Sequence, residues 1–314
     1  MNKNDNLLEY VAELYYERGL SQQEIGSIID ASRPTVSRLI EEAKKQGIVK
    51  IIIETSLHKN PKLSNRLRKA FDLRDAIVVS AAYDFDKSID LCGKAAAAVL
   101  TSYLQPGMTI GLSWGRGVNA VVDAIEDTGL TGINVAQMVG CMTMGNPYID
   151  SFAIAQRLAA KLHGTYSSIN TPLFVKGKEV YNYLVNEPMI SNSLANARKV
   201  DVAVNGVGSF DDPKNSILQS GYFDSYKLDR FKQNGAVASF MGWFIGIDGS
   251  YIEVPDIYQI STPLDVVKEV PLSIVLNATA EKAEPTLAVL NGGYADILIV
   301  DEPLALKLLD SVKK

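Results

Sequence analysis

Apolar positions recur every three to four residues at the start of the chain and every one or two further on, and this change of period divides it. Leu7, Leu8, Val11, Leu14 and Tyr15 share one helical face and predict a helix over 7–18. Ile25, Ile28 and Ile29 repeat the spacing, and so do Val36, Leu39, Ile40 and Ala43, each as a stripe on an otherwise polar helix. A β-branched run, Ile48 to Ile53, then predicts a strand. Beyond it short aliphatic runs at 76–80, 108–112, 200–205, 273–277 and 295–300 alternate with helical patterns at 63–71, 87–104, 118–126, 153–162 and 303–309. Strand and helix in alternation predict an α/β domain, a doubly wound and mostly parallel sheet with helices on both faces.

The N-terminal helices have legible ends. Ser21 with Glu24 three residues on forms a capping box, and Asp30-Ala31-Ser32 makes a short turn before Pro34, whose missing N–H costs little in a first helical turn. Two helices and a tight turn are the layout of a helix-turn-helix, with the run after Gly47 as the wing strand of a winged helix. At about 100° per residue the face opposite the apolar stripe of the second helix carries Pro34, Arg38, Glu41 and Lys45, flanked by Thr35 and Ser37, with Arg33 at the N-terminal tip. Ser32, Arg33, Pro34, Thr35, Ser37, Arg38 and Lys45 are the candidate contacts to base edges and phosphates. A capped helix pair also serves plain packing, and the charge distribution helps to decide. The net charge is −5, yet residues 33–50 hold five basic side chains against Glu41 and Glu42, and residues 59–74 hold six against Asp72. Local basic clusters on an acidic chain suit selective contact with double-stranded DNA, although the second cluster also fits a solvated helix.

With 314 residues and 47% hydrophobic content, the chain has enough apolar side chains for a large core. The break at 55–61, TSLHKNP, places a boundary between residues 1–56 and 57–314. Cys92 and Cys141 have no metal-ligand spacing, so neither a metal nor a cofactor is expected, and both are read as small buried hydrophobes. The start MNKNDNLLEY lacks the character of a signal peptide, and the uncharged stretch 128–149 is broken by Gly, Asn, Gln and Pro; it reads as buried strand and loop, with no membrane segment and a cytoplasmic location expected.

Three strand ends carry candidate ligand loops. Ser113-Trp114-Gly115-Arg116-Gly117 opens a helix, where free N–H groups, a hydroxyl and a guanidinium favour an anion on a loop expected to be exposed. Asn205-Gly206-Val207-Gly208-Ser209 follows an aliphatic strand, and Lys282 follows a third, although a lysine there is more commonly on the surface. Glycine-rich turns also serve close packing. Catalysis has thin support: His58 lies in the linker, His163 near a helix end, and no nucleophile–histidine–acid order or paired acidic signature stands out, so an enzyme is not expected.

The run LYYERGLSQQEIGSIIDASRPTVSRLIEEAKKQGIVKI resembles the N-terminal reader of the SorC (DeoR-like) family of bacterial sugar-binding transcriptional regulators, and the likeness extends to Leu309. The resemblance implies a C-terminal domain similar to phosphosugar isomerases, binding a phosphorylated sugar that changes DNA affinity, and a carbohydrate-catabolism operon as the target. It implies a homo-oligomer, with relatives assembling as tetramers. Because one helix samples only a few base pairs, a near-palindromic operator read by paired modules is expected. The family's S-W-G loop corresponds to Ser113-Trp114-Gly115, its G-V-G-S loop to 206–209, and its late lysine to Lys282. The expected effector set is Ser113, Trp114, Gly115, Arg116, Gly117, Gly140, Gly206, Gly208, Ser209 and Lys282. Two positions depart: Ala278-Thr279 stands where the family often has Gly-Gly, and Ser239 where it often has an acid. They leave room for a non-phosphorylated organic acid, and the isomerase-like fold keeps a sugar-phosphate isomerase or deaminase as the alternative.

Overall fold

The computed structural model describes residues 3–49, 57–82, 84–142, 150–211 and 215–312. Two compact units divide the chain, Met1–Ser56 and Leu57–Lys314. In the first, α1 (Lys3–Ala12) runs into a π-helical turn (Glu13–Glu17), followed by α2 (Gln22–Ile28) and α3 (Arg33–Lys45). The capping box forms in full: the Glu24 N–H donates to Ser21 Oγ at 3.3 Å and the Ser21 N–H to Glu24 Oε2 at 2.8 Å. Val11, Leu14, Ile25, Val36 and Ile40, the stripes read from the sequence, close into one core. The α2–α3 turn is tight because Asp30 takes a left-handed φ of 53° and Gly26 carries no Cβ, which would lie 2.5 Å from the Ala31 carbonyl oxygen. Ile48 and Val49 pack on Leu8, Ala12 and Ala43. The rest of the expected wing, and the start of the expected linker, lie outside the described residues.

The second unit runs α4 (Pro61–Ala70), β1 (Asp75–Val79), α5 (Phe85–Tyr103), β2 (Thr109–Leu112), α6 (Arg116–Ala124), β3 (Asn134–Gln137), α7 (Ser151–Lys161) and β4 (Thr165–Ser167). It continues with β5 (Phe174–Lys176), α8 (Lys178–Asn186), α9 (Pro188–Ala197), β6 (Val202–Gly206), β7 (Gly208–Ser209), α10 (Ser216–Gln219), α11 (Ser225–Gln233), β8 (Ala236–Phe240) and β9 (Trp243–Gly246). Last come β10 (Ile257–Gln259), α12 (Leu264–Glu269), β11 (Ser273–Leu276), α13 (Ala283–Asn291), β12 (Ile297–Asp301) and α14 (Glu302–Ser311). The strands and helices expected in this unit all form, with ends shifted by at most two residues.

Seven strands form one sheet in the order β1-β12-β11-β6-β2-β3-β4, every pair parallel. β11 and β12 are buried along their whole length, as a sheet covered on both faces requires. From β2 the chain winds outward through β3 to β4; from β6 it winds the other way through β11 to β12. The winding therefore reverses between β2 and β6, and a crevice opens at their carboxyl ends. Two small antiparallel sheets, β7-β8-β9 and β10-β5, lie outside this order.

Helices α5 and α6, which frame the crevice on one side, approach closely at Gly93. A Cβ there would lie 2.5 Å from Ala120 Cβ and 2.6 Å from the Ala120 carbonyl carbon. Alanine gains about 1 kcal/mol of helix propensity over glycine, whereas overpacking costs about 1–3 kcal/mol, and the obstacle is backbone that cannot turn aside. With backbone as the obstacle the upper part of that range applies, about 2–3 kcal/mol, and Gly93→Ala should lose about 1–2 kcal/mol net in urea unfolding of the full chain. Equal or greater stability would mean that α5 and α6 separate freely.

Candidate functional site

Between the diverging strands lies a cavity of about 260 Å³, lined by the loops after β2, β6 and β11. Ser113, Trp114, Gly115, Arg116, Gly117, Gly206, Gly208, Ser209 and Lys282 all reach it, so the three loops singled out in the sequence meet at one place. Gly115 precedes α6 with φ 101° and ψ 179°, a conformation open to glycine and costly to other residues. A Cβ there would meet nothing within 4 Å, so the position faces space beside the helix N-terminus. The expectation of an exposed loop gives way to a built wall: Ser113 and Trp114 are buried, Gly115 to Gly117 half-buried. Trp114 Nε1 donates to Ser216 Oγ at 2.9 Å, which fixes the indole across the cavity.

Two cations converge on one aromatic ring. The Arg116 guanidinium carbon stands 4.1 Å and Lys282 Nζ 5.8 Å from the centre of Phe85, contacts that favour cations over the ring face. Arg116 also pairs with exposed Asp86 at 3.3 Å. Lys282 is not the surface lysine that the sequence favoured: it is 6% exposed, because the turn Ala280–Lys282 folds in over the sheet end before α13 begins. Neither Asp nor Glu is among the described residues that line the cavity. Such a wall attracts anions.

The rest of the lining comes from stretches that were not read as ligand loops, although Ser239 stands out as a departure from the family pattern. Ser239 and Met241 come from the β8–β9 hairpin, whose turn residues Met241 and Gly242 have φ of 51° and 83°. Positive φ at both places is the primed turn that matches strand twist. A residue–glycine pair between aliphatic runs is a usable hairpin signal, but Met is unusual at the first place. Asn215, Ser216 and Gln219 add further neutral groups to the lining, and none of them belonged to a recognisable loop. Asn205, one residue before the lining, is fully buried with both amide atoms unpartnered among the described residues.

Other residues lie elsewhere. Gly140 is not brought to the cavity; its N–H donates to the Ile260 carbonyl at 2.8 Å, and a Cβ would come within 2.7 Å of Leu173 Cα, so its glycine serves close packing. His163 pairs on the surface with Asp127 at 3.2 Å, and the His58 carbonyl accepts from Ser80. Cys92 is fully buried, and burial pushes its thiol well above the ordinary range. Cys141 is only half-buried, which corrects its reading as a buried hydrophobe: it sits at an isolated bridge to Pro172, and its Sγ donates to the Ile169 carbonyl at 3.3 Å. No group of His, Cys, Asp and Glu among the described residues has the form of a metal site, and no helix among them is long and apolar enough to cross a membrane.

In the N-terminal unit Ser32 caps α3, its Oγ receiving the Thr35 N–H at 3.4 Å and lying 2.8 Å from Thr35 Oγ1. Arg33, Pro34, Arg38 and Lys45 are exposed; Thr35 and Ser37 are half-buried. The candidate face is thus presented outward, while Val36, Ile40 and Ala43 turn inward.

Residues 56–310 match the family model Sugar-bind, described as "Putative sugar-binding domain". The chain is 28% identical to the transcriptional regulator LsrR of Klebsiella pneumoniae, over 97% of this chain and 93% of that one. It is 26% identical to the uncharacterized transcriptional regulator YjhU of Escherichia coli K12, over 98% and 95%. Among solved structures, the full-length sorbitol operon regulator SorC from Klebsiella pneumoniae shares the fold with a TM-score of 0.72 at 23% identity, covering 98% of this chain and 100% of its own. The chain belongs to the Sugar-bind family, and its likeness to the SorC-type sugar-binding transcriptional regulators runs almost from end to end.

Proposed function

We propose that this protein is a DNA-binding transcriptional regulator whose operator affinity changes when a small anion, in the first place a phosphorylated sugar, enters the cavity between β2 and β6. Residues 1–56 serve as the winged helix-turn-helix reader and residues 57–314 as the effector-binding and oligomerisation domain. The carrying observation is the cavity: a helix N-terminus behind Gly115, two cations on Phe85 and no carboxylate in the described lining, at a sheet's switch point. The names of the relatives support regulation, and no imidazole or carboxylate stands among the described lining residues to move protons, which counts against the isomerase or deaminase alternative. Ser239 and Thr279 favour a second effector class, a non-phosphorylated organic acid. A thermal-shift panel of inorganic phosphate, hexose phosphates and organic acids separates the two, since a ligand at 100 times its Kd stabilises the fold by about 2.7 kcal/mol.

On the DNA side, Arg38 reads a base edge from the exposed face of α3, and paired readers recognise a near-palindrome. Arg38→Ala should cost about 1–3 kcal/mol and relax preference at one position per half-site, whereas Lys45→Ala should weaken all sequences alike. Footprints should show half-sites about 10.5 base pairs apart, or a multiple. A lone half-site bound at full affinity would reject the pairing.

On the effector side, Gly115→Asp should abolish the response of operator binding to ligand and, because φ 101° is strained for any side chain, lower stability by about 1–3 kcal/mol. Lys282→Met keeps the bulk without the charge and should raise the ligand concentration for half response about tenfold to a hundredfold, the worth of a charge-assisted hydrogen bond. Fluorescence anisotropy with labelled operator reads both; unchanged midpoints in both variants would move the effector to another place.

A further inference from the structure

The turn that carries Lys282 is held in a conformation its own sequence resists. Thr279 has φ 71° and ψ 146°, a region that side-chain-bearing residues enter only under constraint, β-branched ones least of all. Its carbonyl accepts the Lys282 N–H at 3.1 Å, so the set of this one residue governs where the lysine emerges. The restraint comes from a residue that lines no part of the cavity. Asp301, the last residue of β12 and 1% exposed, receives the Thr279 N–H on both carboxylate oxygens, at 3.0 and 3.1 Å. The same carboxylate takes the Leu304 N–H at 3.2 Å and so is anchored to the start of α14. Burial pushes this carboxyl above its ordinary range, and those N–H groups with the Ser88 hydroxyl oppose the rise.

The flanks of the turn are fixed separately. Asn277 Nδ2 donates to the Val207 carbonyl at 3.3 Å and to Thr286 Oγ1 at 3.1 Å, and Thr286 Oγ1 donates to the Lys282 carbonyl at 2.6 Å. None of these bonds dictates the φ of Thr279. The Thr279 hydroxyl donates to the Glu281 carboxylate within the same turn, and the Thr279 N–H is held by Asp301.

We propose that Asp301 is a positioning residue for the effector: by holding Thr279 at positive φ it sets Lys282 in the cavity wall, and ligand affinity depends on Asp301 through Thr279. This rests on the reading of the cavity as an anion site, and the test separates the two. It uses the full chain, inorganic phosphate as the probe, and acylation of Lys282 by acetic anhydride followed by mass spectrometry, which needs no ligand. In Asp301→Asn an NH₂ donor replaces one acceptor, so Lys282 should acylate at least tenfold faster than in the wild type and the phosphate Kd should rise at least fivefold. Adding Thr279→Gly should return both to within twofold of wild type, because glycine holds φ 71° without help; a general loosening of the fold would not be rescued by a glycine.

Unchanged acylation and affinity in Asp301→Asn, or failure of the added glycine to restore either, would overturn the proposal. Should wild type bind no phosphate while the acylation pattern holds, positioning of Lys282 by Asp301 is supported and the phosphate reading of the cavity falls. If Asp301→Asn is recovered unfolded, Thr279→Pro replaces it, since this position lies outside the sheet: losing the N–H and fixing φ near about −65° must unmask Lys282. Wild-type protection of Lys282 in that variant would overturn the proposal.

Discussion

Adjacent parallel strands whose chains leave in opposite directions cannot close the space above their ends, and β2 and β6 are such a pair. Each parallel connection must cross over by way of a covering element, and right-handed crossovers carry the chain to one face when it winds outward and to the other when it winds back. The crevice is therefore a consequence of topology before any side chain is chosen. Side chains decide its character: Gly115 leaves the N-terminus of α6 bare, Gly93 lets α5 bring Phe85 alongside, and Lys282 turns in from the far strand. A different set of loops on the same seven strands would leave the crevice and change what it attracts.

Much of this was legible because its signals are local. A capping box needs only Ser21 and Glu24, and the stripes Ile25, Val36 and Ile40 follow from spacing alone. The loop 113–117 announces itself by glycines directly after an aliphatic strand. What escaped depends on contacts distant in sequence. Lys282 looks like any lysine opening a helix until Asp301, 19 positions on, and Thr286 are seen to fold its turn inward. Ser239 and Met241 reach the cavity only because the β8–β9 hairpin pairs with β7, an edge of two residues with no pattern of its own. Helices α8 and α9 went unread for another reason: Tyr181, Leu184 and Val185 of α8 pack with Ile190 and Ala197 of α9 on a small separate core, and α8 buries no residue fully, so each stripe is short and weak. Gly140 was expected among the ligand residues, whereas its missing Cβ makes room for Leu173.

Net charge misleads for this chain, and the structure shows why. An overall −5 coexists with a cavity lining that has no acid among the described residues and with a helix α3 whose outward face bears Arg33, Arg38 and Lys45. Acidic side chains are placed where they hold backbone or pair on the surface, as Glu24 does at the α2 cap, Asp86 with Arg116, and Asp127 with His163. Local fields decide which ions gather at a site, because charges farther than about 10 Å are screened at ordinary salt.

Two kinds of lining residue then divide the work of recognition on the proposed reading. The Phe85 side, with its cations and helix N-terminus, responds to charge and would accept many anions with similar strength, since attraction to a point charge is indifferent to the rest of the molecule. Discrimination has to come from groups that need a partner of defined position. A site built to hydrogen-bond a ligand hydroxyl rejects the analogue without it by far more than an apolar pocket rejects a missing methylene, because buried polar groups are left unpaired. Ser239, 5% exposed, and Ser209, 6% exposed, are neutral groups of this kind, with Met241 adding apolar surface. Replacing an acid by Ser239 removes a charge that would repel a second anionic group and substitutes a hydroxyl that both gives and accepts one hydrogen bond. On that reading the effector's charge would be set by the cationic loops, and its identity by Ser209 and by Ser239 of the hairpin.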